Sequence, residues 1–146
     1  RWNDTAPTSS VFSLGDAGQV NRNADDFIAY CFAEVEGYSK FGSYTGNGST
    51  DGPFVYCGFR PAFVIAKRTD SANSWTIQDD VRDTDNPVDR YLLADDGSAE
   101  GTSGLSFDFL SNGFKLRTAS GAVNASGGTY IYMAFAANPF KYANAR

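Results

Sequence analysis

The side chains with the most chemical potential in this chain are clustered carboxylates. Asp79, Asp80, Asp83 and Asp85 lie close together, with Arg82 and Arg90 among them. Glycoside hydrolysis needs two acids at a set separation across a cleft, so a polysaccharide depolymerase using Asp79 or Asp83 is the catalytic reading of this run. Acids mixed with arginines between two strands equally describe a solvated, salt-bridged loop, and that is the reading preferred. A calcium site drawing on Asp95 and Asp96 is the further alternative, because hard cations take clustered oxygen ligands. The spacing of a helix-loop-helix calcium site is absent. The chain has no histidine, which removes Ser-His-Asp and Cys-His triads and His-ligated metals. Cys31 and Cys57 are too few for a four-ligand zinc centre. Their apolar surroundings suit buried free thiols, with a disulfide between them left open. No catalytic residue, metal or cofactor is assigned, and the chain is read as non-enzymatic.

Binding remains. Residues 46–52 (GNGSTDG) are glycine-rich, but the Gly-Lys-Ser/Thr ending of a phosphate loop is missing, so a surface loop is the reading. Asn3, Asn47 and Asn124 begin N-x-S/T sequons, which matter only in a secretory pathway. Tyr38, Tyr44, Tyr56 and Trp75 fall in or near loop-rich segments with Asn47, Asp51 and Asp70. Aromatic faces beside short polar side chains suit sugar rings, which stack on one face and hydrogen-bond at the edge. Tyr44, Asn47, Asp51 and Trp75 are the candidate ligand contacts, although aromatics in a β domain are first of all core residues. Net charge is −5 and the 12 basic residues are scattered, which argues against nucleic acid as a partner. No stretch has the roughly 20 apolar residues of a membrane helix, so membrane insertion is not expected.

These residues must be positioned by strands. Abundant aromatics and 15 glycines suit an all-β domain with many tight turns. At 146 residues a chain buries roughly 68–70% of its unfolded surface, enough for one core. Residues 127–137 (GGTYIYMAFAA) read as a strand apolar on both faces: Tyr130, Tyr132 and Ala134 on one side, Ile131, Met133 and Phe135 on the other. That pattern predicts a central strand between two packed layers. Residues 27–34 (FIAYCFAE) predict a second one. Further strands are expected over 11–15, 54–59, 62–68, 74–79, 91–94, 105–110 and 114–117. Pro61 predicts a break or bulge. Asn112-Gly113 predicts a hairpin turn with positive φ. Residues 36–52 read as a long polar segment, Trp2 as packing onto the body, residues 140–146 as a tail, and no helix is expected.

An internal repeat stands behind this reading. Residues 11–34 match residues 113–137, with Leu14 on Leu116, Asn21 on Asn124, Ile28 on Ile131, Phe32 on Phe135 and Ala33 on Ala136. The offset is 102 at the leucines and 103 thereafter, so one inserted residue reconciles the two copies. The chain then reads as one β domain over residues 1–146: the end of one repeat unit at 1–40, a linking loop at 41–53, and a full unit at 54–146. It would close a longer array whose members bury faces against one another.

The stretches WNDTAPTSSVFSLG, FIAYCFAEVEGYSKFGSYTGNGSTDGPFVYCGFRPAFVIAKRTDS, DFLSNGFKLRT and GTYIYMAFAANPFKYANAR resemble the C-terminal repeats of tail-fibre or adhesion-like virion proteins of marine bacteriophages. That family has no established biochemical activity and often accompanies lectin-like, concanavalin-type modules. The likeness covers essentially the whole chain, with GFRPAFVIAKR and YIYMAFA its most specific pieces. It carries over no site residues. One departure is Ala137-Asn138, where an acidic residue is expected after MAFA. The resemblance implies an antiparallel sandwich of jelly-roll or lectin-like kind in a virion appendage, extracellular and homo-oligomeric (a trimer or filament). The expected role is structural and adhesive toward a host-surface glycan, many weak contacts being multiplied by avidity. A purely structural self-assembling subunit is the alternative.

Overall fold

The computed structural model describes residues 3–139, and contacts divide the chain into two units, Arg1–Phe32 and Ala33–Arg146. Trp2 and the 140–146 tail lie outside the described residues. The second unit is all-β, with two antiparallel sheets. The larger contains β1 (Ser39–Thr45), β3 (Pro61–Arg68), β4 (Thr76–Asp79), β5 (Leu92–Leu93) and β8 (Thr129–Ala136), in the order β1-β8-β3-β4-β5. The smaller has the order β2-β7-β6, from β2 (Phe54–Tyr56), β6 (Phe107–Leu110) and β7 (Gly113–Leu116).

β8 has the central position that its apolar run predicts, laddered to β1 from Thr45↔Thr129 to Ser39↔Phe135 and on its other side to β3. Its two faces differ, however. Tyr130, Tyr132 and Ala134 are buried in the core, whereas Ile131 is 42% exposed and Met133 and Phe135 are half-buried. The expectation of two covered faces therefore fails. The outer side chains shelter one another laterally: the Phe135 ring meets Phe41 and Phe63 at centroid distances of 6.1 and 6.0 Å. Pairing aligns Phe41, Met133, Ile65, Ile77 and Leu92 in one row across all five strands of this face.

The core lies on the inner side. Tyr44 stacks on Tyr130 with centroids 4.9 Å apart, Phe107 stacks on Phe114 at 5.5 Å, and Phe114 meets Tyr132 edge-on at 5.3 Å. Val55, Val64, Leu116 and Val123 fill the space between the rings. Offset and edge-on ring pairs are the favoured geometries and add to the area they bury.

Local signals hold in most places. β3 and β4 form the expected hairpin, and the register slips between Pro61 and Phe63, the irregularity that proline predicts. β6 and β7 join at Ser111-Asn112 with Leu110 opposite Gly113, but neither Asn112 nor Gly113 has positive φ. Glycine is needed there for room: a Cβ on Gly113 would run into the Val55 carbonyl of the neighbouring β2. The polar segment 36–52 conceals β1, because an edge strand needs only one apolar face and Tyr44 supplies its anchor. The first five residues of the expected linking loop at 41–53 are thus strand.

The first unit departs most from expectation. The strands predicted at 11–15 and 27–34 do not form: no ladder pairs them among the described residues, and Ile28 and Tyr30 stand 82% and 81% exposed. A strand without a neighbour to accept its backbone hydrogen bonds has nothing to stabilise it. Cys31 is accordingly exposed rather than buried, and no disulfide joins it to Cys57. Two single helical turns appear where none was expected, α1 (Gly18–Asn21) and α2 (Gly121–Asn124).

Candidate functional site

Within the second unit an open groove of about 410 Å³ runs between β4 and β5 on one side and the 103–105 loop and α2 on the other. The inner face of the large sheet supplies its floor. Thr76 pairs with Ala66 and Leu93 across neighbouring strands, which turns its side chain to the same face as the core residue Tyr132. Thr76 is 2% exposed, yet its Oγ1 has no hydrogen-bond partner among the described residues. A buried hydroxyl normally finds one. Its neighbour on the same face, Gln78, is likewise buried; its amide nitrogen donates to the Val88 carbonyl at 2.9 Å and to the Leu105 carbonyl, while its Oε1 has no partner among the described residues.

The walls are set by loop chemistry. Tyr91 is held by a two-way backbone bridge to Gly101, both bonds 3.0 Å. On the far side Thr118 donates to the Gly104 carbonyl at 2.8 Å and accepts from Ser120 N at 3.1 Å. Gly104 has a φ of +95°, which glycine adopts readily. The Ser120 side chain caps α2 by accepting from Ala122 N. Asn73, Ser74, Ser103 and Ser120 add hydroxyls and an amide to the lining, and Tyr91 and Leu93 add apolar surface. Among the described residues, no acidic or basic side chain lines the groove. The chemistry offered is neutral hydrogen bonding beside one aromatic ring.

The sequence-selected contacts are separated. Tyr44 is a core residue whose hydroxyl donates to the Val123 carbonyl at 2.8 Å, and burial raises its pKa above the usual phenol value. Asn47 and Asp51 do come together: Asn47 Nδ2 donates to the Asp51 carbonyl at 3.0 Å, and the Asp51 carboxylate lies 2.8 Å from Lys115, which lowers its pKa. This loop is locked to α2 by the buried Asn124, whose amide donates to Ser49 O at 2.8 Å and Thr118 O at 2.7 Å and accepts from Asn47 N at 2.8 Å. Trp75 lies beyond β8 and β3 from Tyr44, just before β4, its backbone N–H donating to the Asp95 carboxylate at 2.8 Å. It is half-buried and flanked by the groove residues Ser74 and Thr76. Asp70 pairs with Arg68 at 2.8 Å, which holds its pKa down to about 2.

The acidic run forms an ion-pair network. Arg82 pairs with Asp79, and Arg90 bridges Asp83 at 3.3 Å and Glu100 at 2.9 Å. Asp83 also accepts the backbone N–H groups of Arg90 and Asp89 at 2.6 and 2.7 Å, and these bonds lower its pKa. Among the described residues, no group of three or more acids or cysteines is placed to hold a metal ion.

One family matches almost the whole of this architecture, over residues 1–139: the domain of unknown function DUF7483. The chain belongs to that family. No curated protein and no solved structure matches it. The groove of this DUF7483 chain is a feature that sequence reasoning missed. A signal was present in TIQD of β4, where the polar Thr76 and Gln78 alternate with Ile77 and take the buried positions.

Proposed function

We propose that this DUF7483 chain is a non-enzymatic module of a bacteriophage virion appendage, and that it adheres to a neutral host-surface saccharide through the groove beside β4 and β5. The observation that carries the reading is the partnerless, buried Thr76 hydroxyl in a groove of uncharged donors and acceptors beside Tyr91. Sugar hydroxyls both donate and accept, which matches Ser, Thr and Asn side chains, and the apolar face of a pyranose suits an aromatic ring. The lack of Lys and Arg disfavours phosphorylated or sulfated glycans. An open site of this kind binds weakly by itself, and repeated copies on an appendage multiply it. The virion setting rests on the sequence resemblance.

A second reading, a purely structural subunit, is favoured by the apolar outer row of the large sheet, which offers packing surface to a neighbour. A glycan array probed with the chain displayed multivalently separates the two. Reproducible binding that is lost in Thr76→Val and in Tyr91→Ala supports adhesion at the groove. A blank array favours the structural role, and binding untouched by both substitutions moves adhesion elsewhere.

A further inference from the structure

The two helical turns sit in the same local frame, 103 positions apart. α1 spans Gly18–Asn21 and α2 spans Gly121–Asn124. The preceding residues, Ala17 and Ser120, have φ/ψ of −64°/123° and −60°/130°; the succeeding ones, Arg22 and Ala125, −77°/136° and −59°/145°. Val20 N donates to Ala17 O at 3.0 Å as Val123 N does to Ser120 O at 3.2 Å, and Asp25 N donates to Arg22 O at 3.2 Å as Gly128 N does to Ala125 O at 3.0 Å. The Asn21 amide donates to Gly15 O at 3.1 Å, the counterpart of Asn124 to Thr118 O at 2.7 Å. Ala24 has a φ of +66° where Gly127 has +71°. Alanine rarely adopts that conformation, so local preference does not account for the shared bend.

Beyond this bend the two copies part. After Gly127 the chain enters β8 and is laddered on both sides. After Ala24 it has no ladder among the described residues, and Ile28 and Tyr30 are largely exposed. We propose that residues 25–33 are a β8 strand separated from its sheet, which inserts between the β1- and β3-equivalent strands of a second sandwich of this same architecture. In this register Phe27, Ala29, Cys31 and Ala33 take the inner positions of Tyr130, Tyr132, Ala134 and Ala136. Asn21 then holds the loop after the partner's first strand, as Asn124 holds residues 47–49.

The partner is a sister sandwich rather than an identical copy with its own β8 displaced. Ala29 in the place of Tyr132 would leave that ring's volume empty against Phe114 and Tyr44. The partner must therefore present a larger side chain opposite Ala29.

The test supplies the absent neighbouring strands. A second copy of residues 35–111 is joined ahead of residue 10 of the chain, with Ala29→Tyr to fill the place of Tyr132, and amide exchange is followed by mass spectrometry. The expected result is that residues 26–33, outside any ladder among the described residues of the 146-residue chain, exchange on the order of 100-fold more slowly or better in the tandem than in that chain. Cys31 becomes unreactive to a thiol reagent, and Phe27→Asp in the tandem reverses both effects while residues 129–136 stay protected. A tandem in which residues 26–33 exchange as in the single chain, or in which Cys31 stays reactive, overturns the proposal whatever the state of the second sandwich. Protection that survives Phe27→Asp overturns it as well.

Discussion

Replacing Thr76 by valine should make the protein more stable. The two side chains have nearly the same shape, so the exchange creates no cavity and alters one group only. In the folded chain that group is a hydroxyl on a residue 2% exposed to solvent, with no hydrogen-bond partner among the described residues. Leaving such a group unsatisfied costs about 1–3 kcal/mol of desolvation, which valine does not incur. Allowing for Thr76 lining an open groove, the gain should be about 1–2 kcal/mol, near the lower end of that range. At roughly 4–8 °C per kcal/mol for a domain of about 100 residues, the melting temperature should rise by about 5 °C or more in calorimetry. Thr118→Val is the matched control. Its hydroxyl donates to the Gly104 carbonyl at 2.8 Å and accepts from Ser120 N at 3.1 Å, so the same exchange there should lose about 1–2 kcal/mol. If Thr76→Val loses stability as Thr118→Val does, the Thr76 hydroxyl is bonded within the protein and no ligand in the groove is needed to satisfy it, which refutes the reasoning.

Other expectations are open to direct measurement. Asn124→Ala removes four hydrogen bonds from a fully buried side chain and frees the 47–51 loop; urea unfolding should show a loss of about 3–4 kcal/mol, and a loss below about 1 kcal/mol would contradict the assigned role. Tyr44→Ala opens a cavity beside Tyr130 and Phe114 and should cost about 3–5 kcal/mol, a collapse of stability rather than a selective loss of ligand. Asp70 has its carboxyl held down to about 2 by Arg68, below the ordinary value near 3.9. Its favourable contribution is therefore complete above the ordinary value and fades as pH falls from about 4 toward 2; Asp70→Asn should flatten that part of the stability profile, and an unaltered profile counts against the pairing. Burial pushes the Cys57 thiol up to about 12, whereas Cys31 is exposed. A disulfide-exchange reagent should titrate one thiol in the native chain and both in urea.

What could be read from residue order was whatever depends on short-range pattern. The double apolar run of β8 announced a central strand, and the Pro61 irregularity and the two hairpins come from local backbone preferences. Whether a face is covered is a different matter, because it depends on what lies above the sheet. Ile131 looks no different in sequence from Val64, yet one is half exposed and the other is 1% exposed. Residues 27–34 carry a strand pattern as strong as that of β8 and still form no strand, since pairing needs a partner that alternation does not specify. The groove was illegible for a related reason: Thr76, Tyr91, Ser103 and Ser120 are far apart in the chain and meet only through the β4–β5 pairing and the loop before α2.

The place of β8 also sets an order of events. Ser39 pairs with Phe135 and Thr45 with Thr129, so β1 waits for a strand translated long after it. β3 and β4 can close their hairpin early, but β1 cannot reach them, because the position between is reserved for residues 129–136. Distant pairings of this kind slow folding and leave strand edges open while the nascent chain lengthens. During synthesis β1 and β3 thus flank a vacant slot of fixed width and polarity, which stays open until residues 129–136 arrive to fill it.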